Sequence, residues 1–179
     1  MHQAIADLTH EHDAILSALR ILERMAAQAQ RGGLAAGDLA RLLRFLHEFV
    51  DRCHHGKEEG LLFPAMLAAG LAEHDGFVDE LLAEHAQGRA LIRAMEDAGT
   101  PVIDAPAFAS AAAAYAEHLR AHIDKENAVF FPMAERLLDA AVMAELQRGF
   151  AEHELRVMGP GRHEQLHALL HRLKAQYLS

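Results

Sequence analysis

Two stretches of the chain repeat one arrangement of a histidine, a glutamate and a proline. His54-x-x-x-Glu58 is followed by Leu62-Phe63-Pro64, and His122-x-x-x-Glu126 by Phe130-Phe131-Pro132, so each Pro lies six residues after its Glu. Single histidines precede each stretch, His12 before the first and His85 before the second, giving the order H…HxxxE…H…HxxxE. All six side chains fall in apolar stripes of helical period. In the first, Ile5, Leu8, His12, Ile15, Leu19, Leu22 and Ala26 are spaced alternately three and four residues apart, the seam a bundle helix turns inward. A chain with six ionisable groups in its apolar seams must bring those seams together around something that compensates them.

The stripes define four helices, at about residues 4–30, 39–62, 75–97 and 107–129. Ala, Leu, Glu, Arg and Met dominate the composition, and β-branched residues are scarce. Gly32 and Gly33 end the first helix and Asp38 can cap the second. Pro64 and Pro132 lie where the second and fourth helices end. The expected fold is all-α, an antiparallel up-down-up-down four-helix bundle over residues 1–135. Residues 136–179 continue the helical patterning and break at Gly159-Pro160-Gly161. They are expected to form two extra helices, packed on the bundle or on a second copy of the chain in a homodimer.

With 51% apolar residues the 179-residue chain can bury a core. A net charge of −9 argues against binding nucleic acid or an anionic membrane. The single cysteine, Cys53, forms no internal disulfide and reads as a buried thiol, and no apolar run is long enough to span a bilayer. A cytoplasmic protein is expected.

Residues i and i+4 share a helix face about 6 Å apart along the axis, so each His–Glu pair can converge on one point inside a bundle. Buried glutamate is rare unless it is paired or coordinates a metal, which makes a metal centre the economical reading of the set. Structural zinc sites usually offer cysteine and close at four ligands. Here imidazole and carboxylate donors mix, six in number, and carboxylates able to bridge two ions favour a dinuclear centre, best suited to iron. The ferritin-type bundle uses Glu-x-x-His instead, the reverse order and a shorter spacing.

The blocks Cys53-His54-His55-Gly56-Lys57-Glu58-Glu59, Glu84-His85-Ala86-Gln87-Gly88-Arg89 and His122-Ile123-Asp124-Lys125-Glu126 resemble the hemerythrin-like family, also called HHE cation-binding, over about residues 5–135. The likeness is to its bacterial branch rather than to the invertebrate oxygen carriers, whose third helix supplies two histidines. The resemblance implies that His12, His54, His85 and His122 are terminal ligands of two iron ions. It also implies that Glu58 and Glu126 bridge the ions, with an oxo or hydroxo group as third bridge. Two octahedral ions need about 12 bonds, these groups supply about 10, and a fifth histidine would leave roughly one position open. His118, one turn before His122 in the same seam, is the favoured fifth ligand, and His55, about 100° round the helix from His54, is the rival.

Tyr115 reads as a core aromatic, Gly88 as room for a ligand or for close packing, and Glu59 as a neighbour of the site or a partner of Lys57. Arg89 is expected to pair with a carboxylate. His2, His10, His47, His74, His153 and His171 read as surface residues. So do His163 and His167, although their i, i+4 spacing could hold a stray cation. The resemblance implies a site for a small diatomic molecule or peroxide (O2, peroxide or NO). A catalase-like peroxide-removing enzyme and an iron- or redox-responsive interaction module are the alternatives.

Overall fold

The structure, a computed structural model, describes residues 1–71 and 76–179. The described residues are helical with short connections and contain no strand. Helix α1 spans Gln3–Gln30 and ends before Gly32, whose φ of +76° a side-chain-bearing residue would resist. Helix α2, Ala36–Phe45, does not stop at Pro64. It continues as a wide π-wound helix through Leu46–His55, regains the ordinary helical backbone at Gly56 and Lys57, widens again over Glu58–Leu62, and runs on as α3, Phe63–Ala68. Helix α4 spans Phe77–Gly99; the expected start at Asp75, and the surface residue His74, lie outside the described residues. Helix α5, Ala105–Lys125, likewise widens over Glu126–Phe130 and continues as α6, Phe131–Leu137. Helices α7, Ala140–Met158, and α8, Arg162–Tyr177, follow.

Both widened turns begin on the glutamate of a His-x-x-x-Glu pair and end just before Phe-Pro. A proline inside a helix lacks an N–H and crowds the carbonyl four residues back. The extra residue per turn in a π segment relieves that crowding, so the helix passes the proline instead of stopping there. The sequence pattern located both prolines correctly and misjudged their effect.

Two apolar clusters lie at opposite ends of the bundle. One contains Ile5 and Leu8 of α1, Leu62 and Phe63, Val78 and Leu81 of α4, and Phe130. The other contains Ile15 and Leu19 of α1, Phe49 and Val50, Ile92 and Met95 of α4, and Phe108 and Tyr115 of α5. Helices α1 and α4 run from the first cluster to the second, and the 36–68 helix and α5 run back, which is the expected up-down-up-down topology. The six seam histidines and glutamates form a polar layer between the clusters.

The C-terminal helices use their apolar stripes on this bundle. Leu166, Leu169, Leu170, Leu173 and Tyr177 join the cluster of α1 and α2, and Met143, Leu146 and Phe150 join the other. Asp38 is not a cap, because the α2 N-terminus has no side-chain cap. Its carboxylate instead accepts from Tyr177 Oη (2.9 Å), Gln176 Nε2 (2.7 Å) and Arg41 Nη1 (2.8 Å), fastening the end of α8 to α2. Asp104 and Asp139 do act as caps, accepting from the first-turn amides of α5 and α7. His153, expected at the surface, is buried, and its Nε2 donates to the Arg52 carbonyl at 3.0 Å. The approach is so close that a Cβ on Gly56 would stand 2.6 Å from His153 Nε2. No helix among the described residues is long and apolar enough to cross a membrane.

Candidate metal centre

Two positions emerge where the four seams meet. At one, His12 Nε2 and His54 Nε2 stand 3.1 Å apart, with Glu126 Oε2 3.3 Å from His12 and Glu58 Oε1 3.5 Å from His54. At the other, His85 Nε2 and His122 Nε2 are again 3.1 Å apart, with Glu58 Oε2 3.5 Å from His85 and Glu126 Oε1 3.4 Å from His122. Each glutamate thus offers one oxygen to each position. All six residues are at most 1% exposed. The phenyl rings of Phe131 and Phe63 stack on His12 and His85 from the apolar side.

The outer ring nitrogens decide what the inner ones carry. His12 Nδ1 faces Asn127 Oδ1 (2.9 Å), His54 Nδ1 faces Glu11 Oε2 (2.8 Å), His85 Nδ1 faces Glu59 Oε1 (2.8 Å) and His122 Nδ1 faces Glu84 Oε2 (2.7 Å). Every one of these partners is an acceptor, so every Nδ1 carries a proton and donates it. The four Nε2 atoms face each other two by two. Burial holds the His54 imidazole well below its usual range and that of His122 down to about 3, with neighbouring histidines adding to both effects. Burial, joined at Glu58 by the charge of Glu126, pushes both carboxyls well above the usual carboxylate range.

None of the four carboxyl oxygens of Glu58 and Glu126 has a hydrogen-bond partner. Ring nitrogens converging in pairs, with orphaned carboxylate oxygens between them, are costly unless a cation lies at each point of convergence. Two donors each about 2.1 Å from one ion and at right angles to it stand about 3 Å apart, close to the separations observed. The residues therefore fit two metal ions.

The structure brings the six seam residues together but leaves out His118. Its ring is half-buried and its Nε2 donates to the backbone carbonyl of Glu84 at 2.8 Å, because the helix turns it toward α4 and away from the centre. His55 joins the cluster instead. It is buried, its ring stacks 3.9 Å from that of His85, and it clusters with Glu58, His85 and His122. The 10-residue π-wound stretch Leu46–His55 ends on this residue, and its wider turn accompanies the inward direction of two consecutive histidines.

Lys57 pairs with Glu11 and not with Glu59, while Arg89 bonds Asp51 (2.6 Å) and Glu59. Tyr115 is a buried core aromatic. Burial pushes the Cys53 thiol up to about 12, which leaves it an inert core group. Gly88 is not forced by packing, because a Cβ there would meet Tyr115 Cε2 at an ordinary 3.9 Å.

Sequence reasoning missed Glu11, Glu84 and Asn127, the partners of three of the four seam histidines. The signal was present in an extended repeat. Glu11-His12 and Glu84-His85 are the same dipeptide on the two single-histidine helices, and Lys57-Glu58 and Lys125-Glu126 match on the other two. Lys57 pairs with Glu11 as Lys125 pairs with Glu84.

A family model described as the hemerythrin HHE cation binding domain matches residues 3–134. Curated relatives from Mycobacterium bovis and from two strains of Mycobacterium tuberculosis, all described as uncharacterized, are 27% identical over 162 residues, covering 86% of the chain. The chain spans 62% of the length of these relatives. No solved structure gives a significant match.

Proposed function

The chain belongs to the hemerythrin HHE cation-binding family, and from that premise we propose that its cluster holds two iron ions and binds or reacts with a small molecule such as O2, peroxide or NO. Two irons sharing Glu58, Glu126 and an oxo or hydroxo group would supply the redox chemistry. His12 and His54 would hold one ion, and His85, His122 and the fifth imidazole, His55, the other. The two facing pairs of Nε2 atoms, with four unpartnered carboxyl oxygens beside them, carry this reading.

The protein's own groups do the rest. Glu11, Glu59 and Glu84 keep their rings in the Nδ1–H tautomer and make the Nε2 atoms more basic. The apolar clusters on both sides keep water out, which favours small uncharged molecules over anions. A fifth histidine leaves roughly one coordination position open, an arrangement suited to binding one small molecule. Catalase-like turnover is the second reading, and oxygen evolution from peroxide at steady state would favour it.

The test is metal analysis after iron reconstitution, with absorption spectra under O2, NO and peroxide. Two irons per chain and oxo-to-iron charge-transfer bands in the near ultraviolet are expected. Less than about one iron per chain, without such bands, refutes the proposal. Glu58→Ala and Glu126→Ala should each lose most of the iron, and retention of both ions would reject the bridging roles.

A further inference from the structure

A second group of ligand atoms lies outside the bundle interior, where α1 meets the C-terminal helices. Glu11 of α1, Glu154 of α7 and His163 of α8 each bring one ligand atom to within 4.8 Å of the others. His163 Nδ1 is 3.9 Å from Glu154 Oε1, too far for a hydrogen bond, while His163 Nε2 is buried without any partner. His167, one turn further along α8, sets its ring 4.5 Å from that of His163.

These groups line a solvent-open cleft of about 470 Å³. Asp7 and Glu164 add two further carboxylates to its wall, and Lys57 is the opposing cation, already paired with Glu11. Each Glu11 oxygen accepts one hydrogen bond, from His54 Nδ1 or from Lys57, and each keeps a second lone pair. The cleft thus collects imidazole and carboxylate donors and negative charge at one point.

We propose that Glu11, Glu154 and His163, with His167 at the edge, form a third metal site that takes a divalent transition-metal ion such as Zn(II) or Fe(II). Imidazole among the donors selects such ions over Mg(II) and Ca(II), which prefer all-oxygen surroundings. Water from the open cleft completes the coordination. Glu154 and His163 lie beyond residues 3–134, the span that matches the family model, so the C-terminal helices complete this site. The site stands on its own residues and does not depend on the dinuclear centre being correctly assigned, although Glu11 touches both.

The test is equilibrium dialysis of the metal-free full chain against Zn(II), with Co(II) absorption as a spectroscopic check. Wild type should take up three ions per chain. Glu154→Gln and His163→Ala, both at partly exposed positions, should each lose one ion or weaken it by at least the roughly 10–100-fold typical of losing even an outer partner. The Glu58→Ala, Glu126→Ala double variant should lose the two bundle ions and keep the third. Should that double variant fail to fold, anomalous scattering from Zn(II)-soaked wild-type crystals should place an ion about 2.1 Å from His163. Unchanged stoichiometry and affinity in Glu154→Gln and His163→Ala overturn the proposal. A wild-type chain holding only one ion, lost in His163→Ala, would leave this site standing and reject the dinuclear one.

Discussion

Replacing Glu58 by glutamine should stabilise the metal-free protein and destabilise the loaded one. In the metal-free fold the Glu58 carboxyl is fully buried, both its oxygens lack partners, and burial pushes it well above its ordinary value of 4.5. The unfolded chain releases this proton once the pH passes the ordinary value, while the folded chain retains it. Folded protein then binds one more proton than unfolded protein, and wild-type stability falls as pH rises. The loss is about 1.4 kcal/mol per pH unit, reaching at most about 3 kcal/mol near neutral pH.

Glutamine has no proton to lose, and Glu126, which burial raises in both proteins, can add no more to the pH dependence of the variant than to that of the wild type. The advantage of Glu58→Gln should therefore grow with pH, whatever constant offset the amide brings. With metal present the order reverses, since an ion at 100 times its dissociation constant adds about 2.7 kcal/mol to a protein that can hold it. The assay is urea unfolding followed by circular dichroism, between about pH 5 and about pH 7, with chelator and with metal. A difference between the two proteins that stays flat across this range without metal would refute the assignment of Glu58 as an uncompensated buried carboxyl.

His118→Ala should keep both bundle metals and lose only the bond to Glu84, worth about 1 kcal/mol, whereas His55→Ala should lower metal content or shift the charge-transfer bands. Metal analysis of the pair distinguishes the two, and an opposite result restores His118 as the fifth ligand. Gly56→Ala should destabilise by about 1–3 kcal/mol, because its Cβ meets the His153 ring at 2.6 Å, while Gly88→Ala should stabilise by about 0.5–1 kcal/mol. Denaturant midpoints check both signs. Asp38→Ala should cost about 2–3 kcal/mol and loosen α8 by stranding the Tyr177 hydroxyl, which limited proteolysis at the C-terminus would report. Burial raises the Asp38 carboxyl, but the bonds from Tyr177, Gln176 and Arg41 outweigh it and hold it below 3.8. The Asp38 contribution should accordingly be present above pH 3.8 and disappear as pH falls through the depressed folded value.

The bundle and its six inward residues were legible because helical periodicity is a local property, and one heptad seam fixes which side chains face inward. What was not legible depended on departures from that period. Sequence spacing put His118 in the seam and His55 outside it, because both were placed on an ideal helix of 3.6 residues per turn. The π-wound stretch ending at His55 changes that angle, and no composition signal marks such a stretch. The same widening carries the helices past Pro64 and Pro132. Glu11 and Glu84 were missed for another reason: each acts on a neighbouring helix, a relation between elements that one stripe does not encode. His153 was misplaced because its burial depends on how α7 crosses Gly56, which nothing in the sequence of α7 announces.

The doubled pattern of the bundle has a consequence for the two proposed ions. Glu11 steadies His54 within the first helical pair and Glu84 steadies His122 within the second, whereas Glu58 and Glu126 each reach across to the opposite pair. Two copies of one helical hairpin could build such a site, but symmetry would force both halves to be identical. One continuous chain is free of that constraint, and its halves differ at two positions beside the candidate ligands: His55 against Ile123, and Glu59 against Asn127. A carboxylate grips one single-histidine ring and a neutral amide the other, and an extra imidazole stands on the carboxylate side. Those two pairs would make the halves unequal in electron richness, and exchanging Glu59 and Asn127 is a small edit that should shift that balance.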